Sequence, residues 1–279
     1  MAARPTVDGT PYNTLFAAHA YHPSGQVSAG DFSWGKTYAA TFDARGRMLS
    51  RRVPFNWGGA LMDTSYSYDV LGRVTAVDDH VHPLEDRSFG YDALGRLVSA
   101  SGPWGSGQFS YDVLNNLREK TLGSRVVELD YDAPTGRLWR YRDSGSGGSW
   151  RYQGYDARGN VTDDGVHGFV YDRSERAVSV SGGASGSFVY DAHGRRVKQV
   201  LDGETIYTVY GIEGALYLRE NATTGESTDY VRMGDFVVGR VDETDTFERI
   251  FADRLGGPVI GATRQSSVLW RESYTPFGE

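Results

Sequence analysis

One six-residue signature recurs along this chain and constrains its fold more than any other feature. Phe42-Asp43-Ala44-Arg45-Gly46-Arg47 is followed by Tyr68-Asp69-Val70-Leu71-Gly72-Arg73 and by Tyr91-Asp92-Ala93-Leu94-Gly95-Arg96. Degenerate copies start at Tyr111, Tyr131, Tyr155 and Tyr171, and a near-complete one starts at Tyr190, running Asp191-Ala192-His193-Gly194-Arg195. Tyr21-His22-Pro23-Ser24-Gly25 reads as a worn first copy. Successive starts lie 16 to 26 residues apart. A fixed signature at variable spacing suits hairpins that share one loop and differ in the other.

The signature has a physical reading. Three residues between Asp and Arg fit a hairpin loop in which a type I turn is followed by one left-handed residue. Gly takes that conformation at no steric cost, and Asp accepts hydrogen bonds from the backbone ahead of it. The exceptions test the reading. Asn115 replaces Gly in one copy, and Asn is the next most tolerant left-handed residue. Asp132-Ala133-Pro134-Thr135-Gly136 holds one extra residue and needs a longer loop. Glu175 stands at the Gly position of the Tyr171 copy, so that loop needs another turn or carries strain.

The incoming strands carry rings two residues apart: Tyr66 and Tyr68, Phe89 and Tyr91, Phe109 and Tyr111, Phe169 and Tyr171, Phe188 and Tyr190. Period two places both rings on one face of a sheet. Stacked in successive repeats, they are expected to form cross-strand ladders. The Gly/Ser-rich runs at 101–107, 144–149 and 181–187 read as far loops rather than linkers, because the repeat resumes in phase after each.

Beyond residue 197 the signature stops while strand signals continue. Asp202-Gly203 between Val197–Leu201 and Thr205–Tyr210 is a strong two-residue hairpin signal. Further strands are expected at 215–219, 228–233, 236–241, 247–251, 258–262 and 268–274. A short helix is allowed only at residues 12–20. The chain is therefore expected to be all-β, one continuous repeat domain over 1–279, with repeats at 21–200 and a distinct β region at 201–279. Composition agrees: 36 Gly and 18 Tyr among 279 residues, with 9 Pro, describe many strands joined by tight turns.

The same composition narrows the function. With no Cys, disulfides, thiolate metal sites and cysteine nucleophiles are excluded. A formal charge of −7, mixed along the chain, gives no sign of a basic face, and no nucleic-acid partner is expected. No apolar run marks a signal peptide or a membrane span. His80 and His82 would put two imidazoles on one strand face, the arrangement for a metal; an exposed loop is the blander reading and is preferred. The repeat Asp residues are explained by their turns. Asn221-Ala222-Thr223 is a formal glycosylation acceptor whose turn role beside Gly225 is preferred. No catalytic residue, cofactor site or metal site is assigned.

The Tyr-Asp-x-x-Gly-Arg repeat resembles the YD repeat of Rhs proteins, Tc toxin C subunits and teneurins. The structural positions carrying it are Phe42, Asp43, Gly46, Tyr68, Asp69, Gly72, Arg73, Tyr91, Asp92, Gly95, Arg96, Tyr190, Asp191 and Gly194. Asp253-Arg254-Leu255-Gly256-Gly257-Pro258 and the run Tyr274-Thr275-Pro276-Phe277-Gly278-Glu279 resemble the Rhs-associated core region, with Gly257 for Ser and Thr275 for Asp. The resemblance implies repeated hairpins in a long, curved or spiralling antiparallel sheet that encloses a toxin polypeptide. It implies a non-enzymatic segment of a bacterial polymorphic toxin system, serving interbacterial competition and secreted or delivered by a secretion system. Expected partners are the toxin polypeptide or remaining shell segments. No aspartyl self-cleavage motif precedes Glu279, so no cleavage residues are carried over, and eight or nine repeats suggest a terminal or split part of a shell. The alternative is an adhesion module whose exposed aromatics bind glycan or protein.

Overall fold

A computed structural model describes residues 6–7, 10–11, 16–32, 37–55, 58–233, 236–263 and 267–278. These residues form antiparallel strands, two short 3-10 turns at Pro83–Glu85 and Ser144–Ser146, and no α-helix. Beyond a two-stranded ribbon (Thr6–Val7 with Thr10–Pro11), the strands form two sheets of thirteen. In both sheets every strand neighbours the one before it in sequence. The all-β expectation therefore holds. No helix among the described residues is long and apolar enough to cross a membrane.

Strand ends fall where the signature puts them. Incoming strands finish at Tyr21, Phe42, Tyr68, Tyr91, Tyr111, Tyr131, Tyr155, Tyr171 and Tyr190. The loop is the one expected: the N–H of Asp69 donates to Arg73 O at 3.0 Å and that of Gly72 to Asp69 O at 3.0 Å, with Gly72 at φ 87°. The same pair of bonds recurs at Asp43, Asp92, Asp112, Asp156, Asp172 and Asp191. Every such hairpin then carries a register shift. Tyr68 faces Val74 but Ser67 faces Ala76, leaving Thr75 unopposed. The shift repeats at Tyr91, Tyr111, Tyr131, Tyr171 and Tyr190. A bulge of this kind increases local twist.

Three expectations need correction. The stretch allowed a helix is a strand over Phe16–Tyr21, while residues 12–15 lie outside the described residues. Its alanines favour helix, but burial alternates strictly along it, and the Phe16 ring packs on Phe32 at 5.0 Å and Tyr38 at 5.9 Å. Gly30 on the neighbouring strand leaves room for that ring, since a Cβ there would meet it. The expected strand at 268–274 ends at Arg271. The signature also does not stop at 197. Gly211–Ala215 and Asp253–Gly257 close with the same two backbone bonds as the YD loops.

By its contacts the chain forms two compact units, Met1–Ser106 with Arg232–Arg240 and Asp245–Glu279, and Gly107–Val231 with Val241–Thr244. The first has a core of Val53, Leu61, Met62, Phe251, Ile260 and Ala262. Burying each larger side chain contributes ~1.5–3 kcal/mol. Polar groups close the same unit across most of the sequence: Arg51 Nη1 donates to Ala252 O at 2.5 Å, and Arg271 Nη2 to Leu61 O at 2.9 Å.

The second unit buries Phe109, Leu122, Val180 and Ile206. It also carries a network of ion pairs. Register puts Phe109, Lys120, Val127 and Asp143 in one cross-strand row. Arg125 grips Asp143 at 2.7–3.2 Å, and its side-chain bonds hold that carboxyl down at about 2. On the other face Arg142 pairs with Glu128, and Arg118 and Arg140 share Asp130. The chain changes sheets at Gln153, the single residue between the strands Arg151–Tyr152 and Gly154–Tyr155.

Candidate functional site

Asp, Arg and Tyr of the signature form one clamp, repeated from hairpin to hairpin. Within a loop, Asp69 Oδ1 accepts from the N–H groups of Leu71 at 3.0 Å and Arg73 at 2.9 Å, and Oδ2 from Arg73 Nε at 2.6 Å. Asp43, Asp92, Asp172 and Asp191 repeat all three bonds. Where Arg is missing, Asn116 and Asn160 offer their side-chain amides to Asp112 and Asp156 at 3.0 and 2.9 Å. The carboxyls titrate accordingly. The backbone N–H of Arg47 draws Asp43 below the ordinary carboxylate range, against a desolvation that pushes it up and with help from the Arg47 side chain. Asp92 and Asp191 are lowered in the same way by Arg96 and Arg195.

The clamp then reaches the next hairpin by three routes. The guanidinium of Arg73 lies over the Tyr91 ring at 4.6 Å. Arg47 covers Tyr68 at 4.7 Å, Arg176 covers Tyr190 at 5.2 Å and Arg195 covers Tyr210 at 5.4 Å. Arginine Nη1 donates to the residue that opens the next loop, from Arg73 to Asp92 O, Arg176 to Asp191 O and Arg195 to Gly211 O. Last, the hydroxyls of Tyr68, Tyr91, Tyr155, Tyr171 and Tyr190 donate backwards to the carbonyl that opens the preceding return strand. Tyr68 bonds Met48 O at 2.7 Å, Tyr91 bonds Val74 O at 2.9 Å, and Tyr190 bonds Ala177 O at 2.7 Å. Each acceptor sits at a register shift.

The aromatic ladder thus differs from the expected one in composition. What stacks on these tyrosine rings is the preceding arginine, a cation–π contact of ~0.5–1 kcal/mol at exposed sites. Both rings of each pair do share the sheltered face, with Ser67, Ser110, Val170 and Val189 outward.

The degenerate copies use the same logic. His22 takes the Asp role: its N–H donates to Gln26 O, Gly25 N–H returns to His22 O, and the Ser24 N–H donates to Nδ1 at 3.3 Å. Asp132 and Asn221 close the longer form of the loop, in which Gly136 and Gly225 bond back over four residues. Asn221 is buried and accepts from the N–H of Thr223 and Thr224, the turn role expected for it. Glu175 keeps the standard turn at φ 61°, and so carries the strain.

At the core-region motif, Asp253 accepts from Leu255 and Gly257 N–H, both at 2.8 Å, while Tyr274 donates to Pro258 O at 2.7 Å. This is the repeat clamp without its arginine, and Asp253-x-x-Gly256 spacing was the signal for it. Leu255 and Phe277 are exposed, and Glu279 lies outside the described residues.

The two histidines do not share a strand face. The strand ends at Asp79, whose Oδ1 caps the N–H groups of Val81 and His82, and His80 pairs with Ser65 at 3.1 Å. Among the described residues no group of three or more His, Asp or Glu is placed to hold a metal ion.

A family model described as Teneurin YD-shell matches residues 34–279. No curated protein matches the chain. Solved structures do. The Tc holotoxin pore of Photorhabdus luminescens, carrying a TccC3 mutation, matches over 98% of this chain and 16% of its own, at 15% identity and TM-score 0.78. The crystal structure of TcdB2-TccC3-TEV matches over 98% of this chain and 16% of its own, at 13% identity and TM-score 0.75. That of TcdB2-TccC3 has the same coverage, at 14% identity and TM-score 0.70. These likenesses concern the fold, and this chain spans about one sixth of the chains it matches.

Proposed function

The chain belongs to the Teneurin YD-shell family, and on that premise we propose that it is a non-enzymatic wall segment of a shell that encloses a toxin polypeptide. One observation carries the reading. The polar signature residues are spent on joining hairpins: Asp on its own loop, Arg on its Asp and the next Tyr, Tyr on the preceding carbonyl. A sequence that devotes its recurring charged groups to mutual bonding is built for mechanical continuity. The fold likeness to TcdB2-TccC3 structures supports the toxin setting. A bacterial Rhs-type system, with a role in interbacterial competition and export by a secretion system, is the setting in which such a wall would work.

The test is protection. The chain is expressed with the segments that flank it in its natural protein, and the polypeptide to be enclosed is challenged with protease. Protection until the shell is denatured is expected; cleavage at the rate of the free polypeptide would sink the reading.

The adhesion alternative rests on Trp139 and Tyr152, which are about half exposed and pack edge-on at 5.7 Å. Glycan-array binding lost in Trp139→Ala and Tyr152→Ala would favour it.

A further inference from the structure

The first unit contains a cavity of about 890 Å³, within the ~300–1,000 Å³ typical of ligand pockets. Its aromatic wall is the sheltered face of the repeats, with Tyr66, Phe89 and Tyr91 among its lining, and residues 271–278 also line it. Most charged groups around it are already engaged. Arg51 holds Ala252 O, Arg73 holds Asp69, and Asp79 and Asp253 cap their own turns.

Two groups are not. Glu85 Oε2 and Arg87 Nε are buried with no hydrogen-bond partner, and both residues line the cavity. Buried polar atoms left unpaired cost free energy, so a native structure needs a reason for each. Arg254, on an exposed loop position, extends over the Tyr66 ring at 6.0 Å and adds a further cation to the aromatic wall.

We propose that this cavity is a seat for an extended polypeptide segment carrying acidic and apolar side chains. Glu85 requires a donor and Arg87, two residues on, an acceptor. A peptide backbone offers an N–H and a C=O at every residue. Apolar side chains fit the aromatic wall, and a carboxylate is matched by Arg254 and Arg87. The inference rests on the containment reading and deepens it, since the enclosed polypeptide then has a defined contact with its wall.

The experiment uses the full chain and a fluorescein-labelled peptide of alternating aspartate and leucine, followed by anisotropy. A peptide of alternating lysine and leucine and a glucose hexasaccharide serve as comparators. The aspartate peptide is expected to saturate, the lysine peptide to bind at least about tenfold more weakly, and Arg254→Gln and Arg87→Gln each to weaken the first by about tenfold, the range for a charge-assisted hydrogen bond or ion pair. Arg254 is exposed, so its variant folds; circular dichroism checks Arg87→Gln. No saturation below about 1 mM, the weak end of specific affinity, overturns the seat. So does binding indifferent to both substitutions, or displacement by the hexasaccharide. Protease protection is measured separately: protection retained without peptide binding overturns the seat alone and leaves containment standing.

Discussion

Arg73 and Tyr91 belong to successive hairpins, yet the guanidinium carbon of one lies 4.6 Å above the ring centre of the other. The same arginine donates through Nε to Asp69 and through Nη1 to Asp92 O. Loop closure and repeat stacking therefore share one side chain. A double-mutant cycle with Arg73→Ala and Tyr91→Leu is expected to give a coupling of about 0.5–1 kcal/mol. Additive losses in urea midpoint would mean that the two residues touch without stabilising each other. Arg73→Lys keeps the charge but not the planar fork, and should recover less than half of the Arg73→Ala loss.

Tyr91→Phe isolates the other tie. It removes only the hydroxyl that bonds Val74 O and leaves the ring beneath Arg73. A loss of about 0.5–1.5 kcal/mol is expected, read as a lower denaturation midpoint. An unchanged midpoint would show that water replaces the bond at no cost.

Glu175 tests the loop itself. It holds φ 61° where the other copies place Gly or Asn, and it is exposed. Glu175→Gly should raise stability by about 0.5–1 kcal/mol, because Gly adopts that backbone without strain. Gly95→Ala, at φ 83°, should lower it by at least as much. If the two substitutions moved the midpoint in the same direction, the left-handed requirement would not be what selects the residue.

The repeat loops were legible in the sequence because their constraint is local. A left-handed residue and an Asp three positions earlier are both visible in the letters, and so were Asp202-Gly203 (φ 48° and 90°) and the strand ends. The tyrosine tie was not legible, since it joins Tyr68 to Met48 across a register shift that no residue type announces. His22 and Asn221 were legible as turn positions through the neighbouring Gly25 and Gly225, although each substitutes other chemistry, a ring nitrogen or an amide oxygen, for the carboxylate. The core of the first unit joins residues near 53–62 to residues near 251–262, a pairing that only the tertiary fold specifies.

Acid should act on the clamps together. Each carboxyl cited for them titrates below its ordinary value when folded, and Asp143 is drawn down to about 2 by Arg125. A group lowered on folding contributes its full stability above its unfolded value, ~3.9, and loses it as pH falls through the folded value. Urea midpoints are thus expected to be insensitive to these groups near neutrality and to drop between about pH 4 and 2. Asp143→Asn should lower the midpoint at pH 7 and flatten the lowest part of that curve. An equally steep curve in the variant would remove Asp143 from the account.

Gly261, in the second sheet's C-terminal hairpin, has no room for a side chain. A Cβ there would run into Glu248 Oε1 and the Trp270 indole nitrogen, which are bonded to each other. Glu248 is buried and also accepts from Arg240 Nε at 2.5 Å, so moving it aside disturbs a second bond. Gly261→Ala is expected to cost about 1–3 kcal/mol, the usual range for overpacking, and to shift Trp270 fluorescence. Adding Trp270→Phe removes the indole N–H and part of the clash, and should restore some of the midpoint although it deletes a hydrogen bond. If the double variant were less stable than Gly261→Ala, the cost would lie in the strand backbone and not in that clash.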